Sequence, residues 1–183
     1  MNPAIPPMDI VTQVQEARRG SQAAYTWLYR RFAPLVHAIH LGKSVRTRVD
    51  DLTQETFVIA FSRLHQLREA ERFGPWIAVI ARRTCSPDGV ESIDIAACEE
   101  PVWAGAGPEA MAEAGAVLQA IRRLPEAYRE TLLLRLVEGL SGPEIADLTG
   151  LTPDSVRVNL HRGMARLRSA LGVVARQEDD NEA

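Results

Sequence analysis

The clearest pattern of apolar and polar positions lies near the C-terminal end of the chain, between Ser141 and Leu171. Apolar residues at helical spacing predict a short helix before Gly150 and a longer helix after Thr152. Ser141 and Glu144 predict a capping box, Gly150 predicts the end of the first helix, and Thr152 predicts the cap of the second. Two helices joined by a tight turn indicate a helix-turn-helix.

The second of these helices separates into a buried stripe and an outer face. The stripe consists of Val156, Leu160, Gly163, Leu167 and Leu171. The residues expected to contact DNA are Pro153, Asp154, Ser155, Arg157, Val158, His161 and Arg162. Because arginine can contact phosphates or pair with guanine edges in the major groove, this pattern favours DNA binding over an ordinary helical hairpin.

Helical spacing also runs through the first 86 residues, and no stretch shows the alternation that is typical of a strand. The pair Gly20–Ser21 predicts the end of one helix and the cap of the next, and Asp50 or Asp51 is expected to cap a third. In the third helix the predicted buried stripe is Leu52, Thr56, Ile59, Ala60 and Leu64. Val58 and Phe61 lie outside this stripe, which fits either docking on a partner or packing on a neighbouring helix.

Two more helices are predicted, one on each side of an irregular stretch. Pro75 marks the start of the first, whose core candidates are Trp76, Ile77 and Ile80, and Pro87 lies within the segment that ends it. The second leads into the helix-turn-helix. Its expected core residues, together with those that follow, are Leu118, Ile121, Leu124, Tyr128, Leu132 and Leu136. We therefore predict an all-α fold of two small helical domains.

Charge divides the chain into blocks that its net charge of −3 conceals. Residues 1–86 carry 12 basic and 7 acidic side chains, whereas residues 87–113 carry 7 acidic and no basic ones. The acidic block also contains glycines and prolines and little periodicity, so we predict a flexible linker. The predicted organisation is a disordered start (1–9), a helical domain (10–86), the linker (87–113), a helix-turn-helix domain (114–172) and an acidic tail (173–183).

Several classes of protein are disfavoured by the sequence. No apolar run is long enough to span a bilayer and the first residues lack a signal pattern, so we expect a cytoplasmic protein without membrane insertion. Cys85 and Cys98 have no metal-like spacing and are expected to be free thiols. The four histidines form no acid/base or metal constellation with the carboxylates, so we expect no enzymatic activity, no metal and no cofactor.

Three segments, in this order, resemble the extracytoplasmic-function sigma factors of bacterial RNA polymerase. DDLTQETFVIAF is similar to the region 2 helix that docks on the polymerase, and FGPWIAVIARR is similar to the segment that reaches the −10 element. LPEAYRETLLLRLVEGLSGPEIADLTGLTPDSVRVNLHRGMARLRSAL is similar to region 4, which reads the −35 element. The resemblance covers roughly residues 10–172.

The resemblance implies a role for particular residues. It implies that Asp51, Gln54, Glu55 and Val58 face core RNA polymerase. It implies that Arg68, Arg72, Arg82 and Arg83 lie near the −10 element, and that the outer face of the second helix of the helix-turn-helix reads the −35 element. The expected partners are core RNA polymerase, promoter DNA and, as a further candidate, an anti-sigma factor.

Two departures from the family pattern leave alternatives open. Cys85–Gly89 cuts short a helix that usually continues with more basic residues, which puts −10 recognition and promoter melting in doubt. Val158 and Asn159 stand where the family often has serine and arginine, so the preferred −35 sequence is expected to differ. The alternatives to a promoter-directing sigma factor are a stand-alone operator-binding regulator and a sigma-like polymerase-binding modulator with impaired promoter opening.

Overall fold

The computed structural model describes residues 9–85 and 108–172, and within these ranges the chain forms α-helices and no β-strand. The helices are α1 (Ile10–Arg18), α2 (Gln22–Lys43), α3 (Val49–Ser62), α4 (Phe73–Thr84), α5 (Pro108–Arg122), α6 (Glu126–Leu136), α7 (Gly142–Thr149) and α8 (Pro153–Ala170). Short 3₁₀ turns at Arg46–Arg48, Leu64–Gln66 and Ala70–Arg72 join α2 to α3 and α3 to α4. The predicted all-α fold is confirmed.

Some predictions concern residues outside the described ranges. These are the disordered start as far as residue 8, the acidic tail from residue 173, Cys98, the last residue of the predicted helical domain (residue 86) and the linker from residue 87 to residue 107. The last six residues of the predicted linker belong instead to α5, which begins at Pro108. Proline suits the first position of a helix because its missing N–H would have no partner there. None of the described helices is long and apolar enough to cross a membrane.

The first two helices begin where polar caps predict them. The side chain of Asp9 accepts a hydrogen bond from the backbone N–H of Val11, and that of Ser21 accepts one from Ala24. Between the helices Gly20 has a φ of 88°, a left-handed conformation that glycine adopts without steric cost. The predicted stop and cap at Gly20–Ser21 are therefore confirmed.

Helix α3 differs from its prediction at its start and in its buried stripe. Its N-cap is Arg48, and neither aspartate caps it: Asp50 and Asp51 lie in the first helical turn, where the helix dipole favours negative charge. Ile59 is only half-buried, whereas Phe57 is buried. The ring of Phe61 packs 4.7 Å from that of Tyr25 on α2, so packing within the domain explains this residue.

The helix-turn-helix has the predicted caps. The Ser141 side chain accepts from the backbone N–H of Glu144, and the Glu144 carboxylate accepts from the N–H of Ser141, which completes a capping box. These bonds lower the pKa of Glu144. Gly150 ends α7 with a φ of 72°, and Thr152 accepts from the N–H of Ser155 to begin α8. The local chemistry thus fixes the turn between the two helices.

Most residues predicted to form the core of the C-terminal half are at least partly buried, but two residues at the ends of helices are exposed. Leu136, at the end of α6, is 46% exposed, and Leu171, just after α8, is 36% exposed. Leu133 and Leu134 are fully buried although the predicted stripe omitted them. The reason is that α6 packs against α2, α7 and α8 at once, so it is buried on nearly all sides rather than along one stripe.

The two halves of the fold share one continuous hydrophobic core, in which α2 packs against α6 and α4 packs against α7. Gly74 of α4 makes the closest approach, because a Cβ there would lie 2.2 Å from the carbonyl oxygen of Leu148 on α7. Gly42 of α2 is a second such position, with a Cβ 3.1 Å from both Arg129 Cδ and Leu133 Cδ1. Two glycines in helices of the first half therefore allow the second half to pack closely.

A buried histidine lies where α2 packs on α3. The Nε2 of His40 is 2.8 Å from Thr56 Oγ1, and its Nδ1 is 2.7 Å from Cys85 Sγ. Since the Thr56 hydroxyl donates to the carbonyl oxygen of Leu52, its oxygen accepts from Nε2–H, and Nδ1 accepts from the Cys85 thiol. Burial, followed by the nearby His37, lowers the pKa of His40 to about 4. The ring is therefore neutral at pH 7.

We predict that His40 makes the native state less stable as the pH falls. Because the pKa drops from its ordinary 6.5 to about 4 on folding, the unfolded chain takes up the proton first, and stability is lost between these values. Between pH 7 and pH 5 this residue is expected to lower the free energy of unfolding by about 2 kcal/mol. Chemical denaturation at both pH values should show a smaller acid-induced loss in His40→Gln than in the wild-type chain.

His37 provides a control with the opposite sign. A hydrogen bond that the His37 ring donates to the Glu138 carboxylate raises the pKa of His37, so the contribution of His37 to stability is present below pH 6.5 and is lost as the pH rises through the raised value. His37→Gln should therefore show a larger acid-induced loss than the wild type. Equal pH dependence in His40→Gln and the wild-type chain would contradict a neutral, buried His40.

Candidate nucleic-acid and polymerase interfaces

The residues predicted to contact the −35 element all occupy exposed positions at the start and on the outer face of α8. Arg157 and Asp154 form an ion pair of 3.2 Å one turn apart, with 79% and 86% of their side chains exposed. An ion pair this exposed contributes little to stability, so Arg157 can exchange its partner for a phosphate or a base edge. Val158, in the middle of the face, is 40% exposed.

Close packing against α6 fixes the orientation of α8. A Cβ at Gly163 would lie 3.2 Å from both Leu132 Cδ1 and Tyr128 Cβ, so only glycine fits there without displacing its neighbours. Val156 and Leu167 are buried on either side of it, as predicted. Because this stripe faces the core, the arginine-bearing side of α8 faces outward.

Three of the four arginines predicted to lie near the −10 element are exposed: Arg68, Arg72 and Arg83. The first two belong to the loop between α3 and α4. Arg72 pairs with Glu69 at 2.7 Å, but both side chains are mostly exposed, so this ion pair is also weak. These three guanidinium groups can be reached by a nucleic-acid backbone.

The loop between α3 and α4 is fastened to α1 by Arg18, a residue that the sequence did not single out. Its guanidinium group donates to the carbonyl oxygens of Leu64 and Leu67. An open pocket of about 380 Å³ lies beside these contacts. Its lining consists of Arg18, Tyr25, Phe61, Leu64, His65 and Leu67. The pocket thus combines aromatic rings with a cation.

Arg82, the fourth of these arginines, is not free. Its Nε donates to Glu130 Oε1 at 2.9 Å and an Nη group donates to Glu130 Oε2 at 2.6 Å, which is a bidentate pair. Glu126 Oε1 lies 3.2 Å from the same guanidinium group. The bond to Glu130 raises the pKa of Arg82. The structure therefore separates Arg82 from the three exposed arginines and joins it to two carboxylates of α6.

The four residues predicted to face core RNA polymerase form one exposed stripe along α3. Asp51, Gln54, Glu55 and Val58 follow one another at spacings of three, one and three residues, which brings them to the same side of a helix. Val58 is 69% exposed, more than any other large apolar residue within the described ranges. Beneath the stripe, Phe57 packs 4.7 Å from the ring of Tyr29. A rigid helix therefore presents this apolar side chain to solvent.

The histidines and carboxylates of the described ranges do not converge on a metal site. No group of three or more potential ligands is close enough there to hold an ion. His37 Nδ1 lies 2.6 Å from Glu138, whereas His40 faces Thr56 and Cys85. These two histidines of α2 thus serve separate contacts.

Two family models match the chain in the same order as the structural halves. Residues 21–86 match Sigma-70 region 2 and residues 114–167 match Sigma-70, region 4. The first match contains α2, α3 and α4, and the second contains α6, α7 and all but the last three residues of α8. The exposed stripe of α3 lies within the first match, and the exposed face of α8 lies within the second.

Individual relatives are similar over nearly the whole chain. The RNA polymerase sigma factor CarQ of Myxococcus xanthus is 31% identical over 168 residues, which cover 87% of this chain and 95% of CarQ. The ECF RNA polymerase sigma factor SigW of Bacillus subtilis is 23% identical, covering 90% of this chain and 97% of SigW. The solved structure of CnrH in complex with the cytosolic domain of CnrY matches with a TM-score of 0.58 at 26% identity, covering 90% and 98% of the two chains. This chain belongs to the extracytoplasmic-function sigma factors of the sigma-70 family.

Proposed function

We propose that this sigma factor directs core RNA polymerase to promoters through three surfaces: the α3 stripe, the loop between α3 and α4 together with Arg82 and Arg83 at the end of α4, and the outer face of α8. It acts as a non-catalytic subunit that selects and opens promoters. The observation that carries the proposal is that both the α3 stripe and the α8 face are solvent-exposed on rigid helices. Reconstitution with core polymerase, followed by run-off transcription from the promoter upstream of its own gene, tests it.

For the −35 element, α8 enters the major groove with its N-terminal turn first. Arg157 and Arg162 are suited to phosphate or guanine contacts, while Val158 and His161 lie between them on the outer face and Ser155 is exposed in the first turn of α8. Asn159 is half-buried and lines the pocket that also contains Arg82. We therefore attribute a change in −35 preference to position 158 rather than to position 159.

For the −10 element, the pocket beside the loop between α3 and α4 suits an unstacked base. Tyr25, Phe61 and His65 provide faces on which a base can stack, and base–aromatic stacking is worth roughly 1–3 kcal/mol. Arg68 and Arg72 are exposed on the same loop and can neutralise the adjoining phosphates. Together they offer stacking and charge to a melted strand.

For core polymerase, the α3 stripe offers an apolar centre with polar neighbours. Val58 would be desolvated on docking, and Gln54 and Glu55 would supply hydrogen bonds around it. The similar CnrH was solved with the cytosolic domain of CnrY. We extend this to a proposal that an anti-sigma factor holds the present chain as well.

The alternatives differ in what they require of these surfaces. A stand-alone operator-binding regulator would not need the α3 stripe, and the match of residues 21–86 to region 2 favours a sigma factor over it. A modulator that binds polymerase without opening promoters would bind core polymerase but give no run-off transcript. The residues after Cys85, where the basic helix is cut short, lie outside the described ranges.

We predict that Gln54→Ala combined with Glu55→Ala weakens binding to core polymerase. Each polar contact at a desolvated interface is worth roughly 1–3 kcal/mol, whereas folding should change by less than about half a kcal/mol because both side chains are exposed. Affinity for core polymerase and chemical denaturation would be measured side by side. Gln15→Ala, an exposed substitution on α1, is the control. Unchanged affinity in the double variant would exclude these two residues from the interface.

We predict that Arg162 and Val158 affect promoter choice in different ways. Arg162→Ala should weaken binding to all −35 sequences by a similar factor and lower the salt slope by about one unit, since a lost phosphate contact carries no sequence information. Val158→Ser should change which −35 sequence is preferred. Selection from randomised −35 elements with each holoenzyme at two salt concentrations measures both effects. An unchanged preference in Val158→Ser would show that this side chain does not face the groove.

A further inference from the structure

We propose that the free chain adopts a closed state in which Glu126 and Glu130 of the second half bind Arg82 of the first half and withhold it from DNA. This latch, Arg82 with Glu126 and Glu130, opens when core polymerase and promoter DNA separate the halves. The inference rests on the proposed function in one respect, the use of Arg82 at the −10 element. The existence of the latch does not depend on that use.

The geometry of the latch is that of a specific contact rather than a chance encounter of surface charges. Glu130 is only 7% exposed and takes both of its hydrogen bonds from the guanidinium fork of Arg82, at 2.6 and 2.9 Å. Charge-assisted, bidentate pairs are both stronger and more geometrically selective than single contacts. Glu126 is shared, because Lys43 Nζ lies 2.8 Å from its other oxygen, and this cation lowers the pKa of Glu126.

A second contact near the latch joins the C-terminal end of α2 to α5. Arg122 donates to the carbonyl oxygens of Leu41 and Ser44, both at 2.9 Å. Carbonyl groups at the end of a helix have no partner within the helix, so this arginine from the other half satisfies them. Unpaired backbone carbonyl groups at the C-terminal end of α2 thus receive their hydrogen bonds from an arginine of the second half.

Shape supports the closed state independently of charge. Gly74 lies at the start of α4 and allows the Leu148 carbonyl of α7 to approach to a distance that any Cβ would prevent. Its φ is not in the left-handed region, so the backbone itself does not require glycine there. Glycine at this helical position is explained by contact with the other half.

The closed state affects the proposed surfaces unequally. The α3 stripe and the outer face of α8 remain exposed, whereas Arg82 is occupied. A closed chain can therefore meet core polymerase through α3 before Arg82 becomes available to a melted strand. This order limits contact between Arg82 and DNA in the free chain, because a phosphate must first displace the buried carboxylate of Glu130.

Small-angle scattering of the full chain tests the latch directly. Glu130→Gln removes the charge while keeping the shape, and Gly74→Ala places a methyl group against the Leu148 carbonyl; both should increase the radius of gyration at unchanged helical content. Gly142→Ala is the matched control, since a Cβ there meets nothing within 4 Å. A radius of gyration equal to that of the wild type in both test variants would overturn the proposal.

Binding of a single-stranded oligonucleotide by the free chain tests whether the latch withholds Arg82 from DNA. Glu130→Gln should tighten binding by on the order of ten-fold, and adding Arg82→Ala should remove that gain. Glu16→Gln makes the same change in net charge away from the latch and should leave affinity nearly unchanged. A gain that survives Arg82→Ala, or that Glu16→Gln reproduces, would overturn the assignment of Arg82 as the withheld group.

The role of Arg82 in the holoenzyme is measured separately. If Arg82→Ala holoenzyme transcribes as well as the wild type, the proposed −10 role of Arg82 fails, while an expanded Glu130→Gln chain still demonstrates the latch. If Arg82→Ala holoenzyme is defective but neither test variant expands, the −10 role stands and the latch is wrong. The two failures are therefore distinguishable.

Discussion

The fold depends on a carboxylate that lies inside it. Glu130 is buried between α6 and α4, and a buried charge without a partner is strongly destabilising, so the packing of the two halves must bring Arg82 to it. The guanidinium fork meets both carboxylate oxygens only in one relative placement of the helices. The approach of Gly74 to the Leu148 carbonyl fits that same placement. Charge and shape thus specify one register between α4 and the second half.

Local signals allowed the helices and their caps to be predicted, because each cap depends on residues only a few positions apart. The capping box at Ser141 and the left-handed Gly150 are of this kind. The burial of Leu134 and the exposure of Leu136 could not be derived in the same way. They follow from the packing of four helices against α6, namely α2, α5, α7 and α8, and the periodicity of a single helix contains no information about how many neighbours it has.

In the candidate site, too, some positions could be predicted from local patterns and others depended on tertiary packing. The spacing of apolar residues along α8 and α3 was enough to predict that the α8 face and the α3 stripe are exposed. The apolar side of a helix faces the core, so its polar side faces solvent. The position of Arg82 did not, because a basic residue near the end of a helix suits a phosphate and a carboxylate equally well. The signal was present in α6, where Glu130 directly precedes a run of buried residues and, once buried with them, requires a cation.

A polar latch has a property that an apolar one lacks. Separating two apolar surfaces exposes them to water, and nothing in DNA compensates for that exposure. Separating Arg82 from Glu130 leaves a guanidinium group that a phosphate can bind with the same bidentate geometry. The freed carboxylate becomes hydrated once the halves part, so its burial penalty disappears on opening. The contact between Arg82 and Glu130 therefore matches the chemistry of the ligand that replaces it, so DNA offsets this part of the cost of opening, while the apolar core that the two halves share opposes opening.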